Sequence, residues 1–238
     1  MNLKPVLAGF TLAVLGTISA VAAPINTFVT ATGATESGGN AVNASAVVTL
    51  GTGTITVTLT NLLANPTTVA QNISDFFFTL NTTPTGFPST VTPTGSLITV
   101  AGGTSTPDTT DTLKSWALTA TGNQIHIDAL VASQGPTSAP KQLIIGPGPY
   151  TNANASITGS THNPFINGTA TFTFAVSGVT ANSVVSNGIF SFGTDGGDNV
   201  NATGGGGGGG SVTPEPSTFL LGGSLVGLSL IIKRVKRA

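Results

Sequence analysis

Apolar and polar residues alternate along the middle of the chain. In residues 54–60 the aliphatic side chains face one way and the threonines face the other. A period of two is the pattern of a strand with one buried face. The same pattern recurs in three further segments: 76–80, 169–176 and 190–192, the last of which is predicted to be the final strand. No stretch of residues 24–201 has a convincing helical period, so this body is predicted to be all-β.

Residues 115–130 are predicted to form a hairpin. Gly122 and Asn123 both tolerate positive φ and suit a two-residue turn. Because a slip of one residue would turn the apolar side chains outward, the sequence selects one register. That register places three apolar pairs on one face: Ala120 with Ile125, Leu118 with Ile127, and Trp116 with Ala129.

Stretches rich in Gly, Pro and polar residues separate the predicted strands. They cover residues 82–86, 88–95, 101–111 and 146–149. Short strands with one apolar face each, divided by turns of this kind, predict a single antiparallel β-sandwich over residues 24–201.

Charged residues make up only 6% of the 238 residues, against about 25% in typical globular proteins. Hydroxyl and amide side chains must therefore keep the body soluble. Lys114 and Lys141 are the only bases within residues 24–201, which excludes nucleic-acid binding, since that function needs a basic surface. The sequence has no cysteine, which excludes thiolate metal sites, redox pairs and cysteine nucleophiles.

Residues 1–23 are predicted to form a secretory signal peptide. Lys4 supplies the positive charge, residues 6–18 are almost wholly apolar, and small residues follow. The alternative is an N-terminal membrane anchor, but the apolar run is short for a span of about 20 residues. Signal peptidase is expected to cut after Ala22 or Ala23, with small side chains at Ala20 and Ala22.

The end of the chain has a different organisation. Residues 202–212 contain an unbroken glycine run and are predicted to form a flexible linker. An apolar segment, 217–232, is predicted to be a transmembrane helix. The basic residues after it should stay on the cytoplasmic side. They form the tail 233–238 and are Lys233, Arg234, Lys236 and Arg237, four of the seven bases in the chain.

The triplet Pro214, Glu215 and Pro216 stands directly before this apolar segment. Triplet, span and basic end in this order resemble the PEP-CTERM sorting signal, whose tail is also known as the C-terminal domain of ice-binding proteins. The resemblance covers residues 213–238, and Thr213 departs from the Val that often stands there. It implies that the tail holds the protein in the inner membrane until an exosortase cuts near the triplet. The body would then move to the cell surface or the extracellular matrix.

Two histidines in the body are candidates for chemistry. His126 shares a strand face with Asp128, but no G-x-S-x-G elbow accompanies them, and a solvated polar face is expected. His162 is predicted to be a turn residue rather than a ligand.

Two acidic groups are further candidates. Residues 195–199 offer oxygen ligands to calcium, although an acidic turn is favoured over a cation loop. Asp108 and Asp111 could form a glycosidase pair, but nothing in the sequence places them in a cleft, and they are expected to be loop residues.

The threonines of residues 52–60 and 169–173 raise the hypothesis of ice binding. One long run and one short run do not make a repeating array, and Thr is a common residue on the solvated face of a strand. The favoured interpretation is a non-enzymatic surface or matrix protein of biofilm or exopolysaccharide, with no cofactor or metal. Its expected partners are signal peptidase, exosortase, the inner membrane and exopolysaccharide. The alternatives are a carbohydrate- or ice-binding module and, third, a hydrolase.

Overall fold

The computed structural model describes residues 25–130, 139–196 and 198–205. This part of the chain is nearly all β, with a 3₁₀ turn at Val69–Gln71 and one short helix, α1, at Ala155–Thr158. The predicted absence of long helical segments is confirmed for these residues. The strands are β1 Ile25–Thr30, β2 Ala44–Gly51, β3 Thr54–Asn61, β4 Ile73–Leu80, β5 Thr90–Val91, β6 Leu97–Ala101, β7 Thr104–Asp108, β8 Trp116–Thr121, β9 Gln124–Asp128, β10 Ile144–Ile145, β11 Phe165–Asn167, β12 Thr169–Ala175, β13 Val185–Phe192 and β14 Asn199–Gly204.

All fourteen strands are connected by hydrogen bonds into one sheet. The main path runs β12-β3-β2-β1-β14-β13-β4-β10-β11-β6-β7, and β9, β8 and β5 continue from β4 on a branch. The pairing is antiparallel, as predicted, except that β10 and β11 run parallel. Ile144 pairs with Ile166 in that short ladder.

The apolar core lies where different parts of this sheet face each other. Phe28 of β1 contacts Phe76 of β4 edge-on, with ring centroids 5.8 Å apart. Trp116 of β8 lies 5.0 Å from Phe172 of β12, measured between ring centroids. All four rings are fully buried. Burial of these aromatic side chains, which come from β1, β4, β8 and β12, provides much of the apolar area that stabilises the fold.

The alternating segments form strands as predicted. Residues on β3 alternate strictly between buried and partly exposed side chains. The predicted hairpin is also present as β8 and β9, with Ala120 opposite Ile125 and Leu118 opposite Ile127. The ladder ends at the pair Ala117–Asp128, one residue before the third predicted pair.

Three predictions about strands were wrong. The stretch 88–95, predicted to be turn-rich, contains β5, which pairs with β8. Residues 104–108, predicted to belong to a turn-rich stretch, form β7 against β6. This strand is almost entirely exposed and contains Pro107, so it has no apolar alternation to detect, and proline is tolerated because the strand lies at a sheet edge. Nor is β13 the last strand, because β14 follows it and pairs with both β13 and β1.

Strand β14 includes residues 202–204, which the sequence assigns to the linker. Gly204 has φ +103 and lies against the carbonyl of Thr27, where any Cβ would overlap that oxygen. Gly205 approaches the ring of Phe28 equally closely. The first glycines of the run are therefore packed against β1 because glycine alone fits there.

The other terminal predictions lie outside the described residues. These are the signal peptide with Ala20, Ala22 and Ala23, the rest of the linker, the triplet 214–216, the helix 217–232 and the basic tail. Among the residues that the structure describes, no helix is both long enough and apolar enough to span a membrane.

Candidate functional site

The strongest cluster of chemically active side chains is built by β4 and β9. Asp75 lies directly opposite Asp128, and Phe77 lies opposite His126. Side chains two apart on a strand, and those of direct cross-strand partners, point to the same face. Asp75, His126 and Asp128 therefore share a face, while the alternate residues of β4 point into the core. We call these three residues the Asp–His–Asp cluster.

The reactive atoms of the cluster converge on one point. Nε2 of His126 lies 3.3 Å from Oδ2 of Asp75 and 3.9 Å from Oδ2 of Asp128. One atom from each residue falls within 4.8 Å of the other two. In the described residues this is the one group of three or more His, Asp or Glu side chains whose geometry could hold a metal ion.

The surroundings of the cluster fix two of its members. The imidazole of His126 stacks on the ring of Phe77, with centroids 3.7 Å apart and an interplanar angle of 12°. The N–H of Leu130 donates to Oδ1 of Asp128 at 2.6 Å. Burial raises the pKa of Asp128, an effect that this hydrogen bond and His126 partly oppose and Asp75 reinforces. These contacts hold the side chains of His126 and Asp128 in place, in an acidic site that is partly shielded from solvent.

Sequence reasoning found His126 and Asp128 but described them as a solvated polar face. The structure places Asp75 beside them, only 3% exposed, and Asp75 was missed because it comes from a strand much earlier in the chain. One signal could have found it. Asp75 is the one charged residue in the apolar strand ISDFFFTL, and a charge in such a strand is seldom fully buried without a partner.

A second feature is a surface of paired threonines on β3 and β12. The two runs noted in the sequence are neighbours, and their hydroxyls form three hydrogen-bonded pairs: Thr56–Thr173 at 3.2 Å, Thr58–Thr171 at 3.0 Å and Thr60–Thr169 at 3.1 Å. We call these six residues the threonine face. Thr52 does not belong to it, because Thr52 lies in the turn between β2 and β3.

Asp108 and Asp111 line an open groove of about 340 Å³ together with Lys141. The backbone N–H groups of Asp111 and Thr110 and the Thr110 hydroxyl donate to Asp108. These hydrogen bonds hold the pKa of Asp108 at about 2. A glycosidase acid needs a raised pKa, so Asp108 is unsuited to that role.

The remaining candidates have structural roles. His162 is buried in a turn, as predicted for a turn residue, and its Nδ1 lies 2.9 Å from the carbonyl oxygen of Pro140. A carbonyl can only accept, so Nδ1 carries the proton and donates. In the loop 195–199, Asp198 accepts a hydrogen bond from the N–H of Ser37 at 3.1 Å, which joins two loops.

No family model matches the chain, and neither curated proteins nor solved structures gave a significant match to it. The functional interpretation consequently depends on the residues of this chain alone.

Proposed function

We propose that this chain is an exported, non-enzymatic surface or matrix protein whose body is a single β-sandwich. It is sorted through its PEP-CTERM-like tail and cut by an exosortase, and it contributes to biofilm or exopolysaccharide structure. The observation that carries this proposal is the order of elements at the end of the chain: Pro214, Glu215 and Pro216, then the apolar segment 217–232, then the basic tail.

The position of the terminal strands supports this proposal. Strand β1 begins at Ile25, directly after the expected signal-peptide cleavage site, and β14 ends at Gly204. The two strands are antiparallel neighbours, with Phe28 opposite Gly204. The start of β1 and the end of β14 therefore lie at the same end of the ladder, as suits a body whose leader and tail are both attached to one membrane.

The triplet lies beyond the last strand. Pro214 follows Gly204, the end of β14, by ten positions, and the chain can span at most about 3.3–3.6 Å per residue. A protease at the membrane could reach the triplet without opening β14. The two prolines would keep the cut site extended, because proline and the residue before it disfavour helix.

The proposal is tested by replacing Pro214, Glu215 and Pro216 with alanine in the native host. The matched control replaces three linker glycines, 207–209, with alanine. We expect the triplet variant to stay in the membrane fraction at full length, while the control is released like the wild type. Release of both variants to the same extent would overturn the sorting proposal.

The threonine face favours a second candidate, a carbohydrate- or ice-binding module. Its six hydroxyls are arranged in three regular pairs across β3 and β12, a more ordered surface than one strand would offer. We expect Thr58→Lys with Thr171→Lys to reduce binding in a glycan pull-down or ice-recrystallisation assay. Thr104→Lys, on the exposed strand β7, is the control, and equal binding by all three proteins would exclude this surface.

A further inference from the structure

We infer that the Asp–His–Asp cluster is a binding site for a divalent cation, and that zinc fits it best. The ligands would be Nε2 of His126 and one carboxylate oxygen each from Asp75 and Asp128. Nothing in the sorting proposal requires such a site, and the sequence alone predicted no metal. The inference depends on the positions of the three side chains and on the hydrogen-bond partners that two of their atoms lack.

Two buried polar atoms in the cluster have no hydrogen-bond partner. Oδ1 of Asp75 and Nε2 of His126 are both buried and both without one. The nearby hydroxyl of Ser191, opposite Asp75 on β13, donates to Asn199 instead. Burying a carboxylate without donors is costly, and a cation bound to Nε2 and to the carboxylate of Asp75, whose Oδ2 lies 3.3 Å from Nε2, would offset that cost.

The atoms of the cluster are spaced more widely than charge-assisted hydrogen bonds require. Charge-assisted hydrogen bonds between a nitrogen and a carboxylate are about 2.7–2.9 Å long, and both separations from Nε2, 3.3 Å and 3.9 Å, are longer. Ligands at about 2.0–2.1 Å from a tetrahedral zinc ion lie about 3.3 Å from one another. The 3.3 Å separation from Asp75 matches that ligand spacing, and the 3.9 Å separation from Asp128 exceeds it by about 0.6 Å.

The cluster brings two carboxylates together on neighbouring strands. Asp75 and Asp128 are direct cross-strand partners, and like charges in that position repel. In the described part of the chain, the ion pairs within 4 Å all involve His126, so no Lys or Arg side chain lies within that distance of either carboxylate. A divalent ion with a neutral imidazole would balance both.

The surrounding contacts already orient the ligands. Phe77 holds the imidazole plane, and the Leu130 N–H engages Oδ1 of Asp128, which leaves Oδ2 toward the cluster. Such supporting contacts raise metal affinity. Imidazole nitrogen and carboxylate oxygen both bind zinc, whereas calcium takes oxygen ligands alone. The side chains of His126 and Asp128 are 23% and 13% exposed, so solvent borders the site although Nε2 itself is buried.

The experiment is calorimetric titration of the untagged, metal-free full chain in detergent with Zn²⁺, and separately with Ca²⁺. Asp75→Asn and Asp128→Asn remove one ligand charge each while keeping the side-chain shape. Asp111→Asn, at an exposed residue outside the cluster, removes the same charge elsewhere. Far-UV circular dichroism reports whether each variant is folded. If the Asp75→Asn protein does not fold, because Asp75 is buried, the zinc affinity of the Asp128→Asn protein provides the test.

We expect one zinc ion per chain, a higher Tm with zinc, and affinity at least about tenfold weaker in both cluster variants. The Asp111→Asn protein should bind as the wild type does. The inference is overturned if the wild type does not bind zinc, or if the folded cluster variants bind it equally well. Calcium binding as tight as zinc binding would contradict the assignment of the metal.

Discussion

Phe28 and Gly204 are direct partners in the ladder that joins the first strand to the last. The ring of Phe28 also lies against Gly188 and Gly205, where any Cβ would overlap it. The first and last strands of the described residues are thereby paired in the middle of the sheet. Gly188 on β13 and Gly205 after β14 are both required, because a Cβ at either position would overlap the ring of Phe28.

Gly204→Ala should destabilise the protein, because Gly204 has φ +103 and no room for a Cβ beside the carbonyl of Thr27. Strain of this kind costs about 1–3 kcal/mol. Gly196→Ala is the control, since Gly196 has open space around it and no positive φ, and its effect should stay within about 0.5 kcal/mol. Urea denaturation of both variants measures the difference. Equal stabilities would show that β14 is not packed as described.

Phe172→Ala should lower the free energy of unfolding by about 3–5 kcal/mol, the usual cost of emptying a buried phenylalanine site. Phe172 is fully buried and contacts Trp116, the only tryptophan in the chain. Trp116 fluorescence therefore reports both the unfolding and the local change. Leu62→Ala, at a residue 45% exposed, should cost far less, and a similar loss in both variants would contradict the assigned core.

Glu36 should make stability depend on pH. Burial on its own raises the pKa of Glu36, but hydrogen bonds from the N–H groups of Gly38 and Asn40 and from the Asn40 amide outweigh it, so the pKa lies below its usual 4.5. A carboxyl with a lowered folded-state pKa adds stability above its unfolded value, and that stability is lost as pH falls through the folded value.

Glu36→Gln should therefore be less stable than the wild type at pH 7, with the gap narrowing as pH falls below 4.5. Urea midpoints at about pH 7 and at a series of pH values below 4.5 follow this gap as Glu36 becomes protonated. Asp195→Asn, at an exposed carboxylate, controls for the general loss of charge. A gap that is constant with pH would mean that Glu36 is not held ionised by its loop.

The sequence predicts strands well where one face is buried. The β3 and β12 runs and the β8–β9 hairpin could be identified because alternation and turn residues are local signals. Strand β7 and strand β14 could not, since their residues are mostly exposed or partly exposed and their strand conformation comes from neighbours far away in the chain. The parallel pairing of β10 with β11 likewise depends on long-range contacts.

The candidate site shows the same limit. His126 and Asp128 stand two apart on one strand, so their shared face was visible in the sequence. Asp75 joins them only through the register between β4 and β9, and that register is a property of the folded sheet. The pairing of the two threonine runs was also hidden, because the paired residues are 109 to 117 positions apart in the chain.

The most direct test of the proposed sorting is the intact mass of the protein recovered from its native host. We expect a chain that begins after Ala22 or Ala23 and ends near residues 214–216, without the apolar segment and the basic tail. A mass that still includes Ala238 would contradict exosortase processing and would indicate a protein that stays tethered to the membrane. A mass that still includes residues 1–22 would contradict cleavage of the signal peptide.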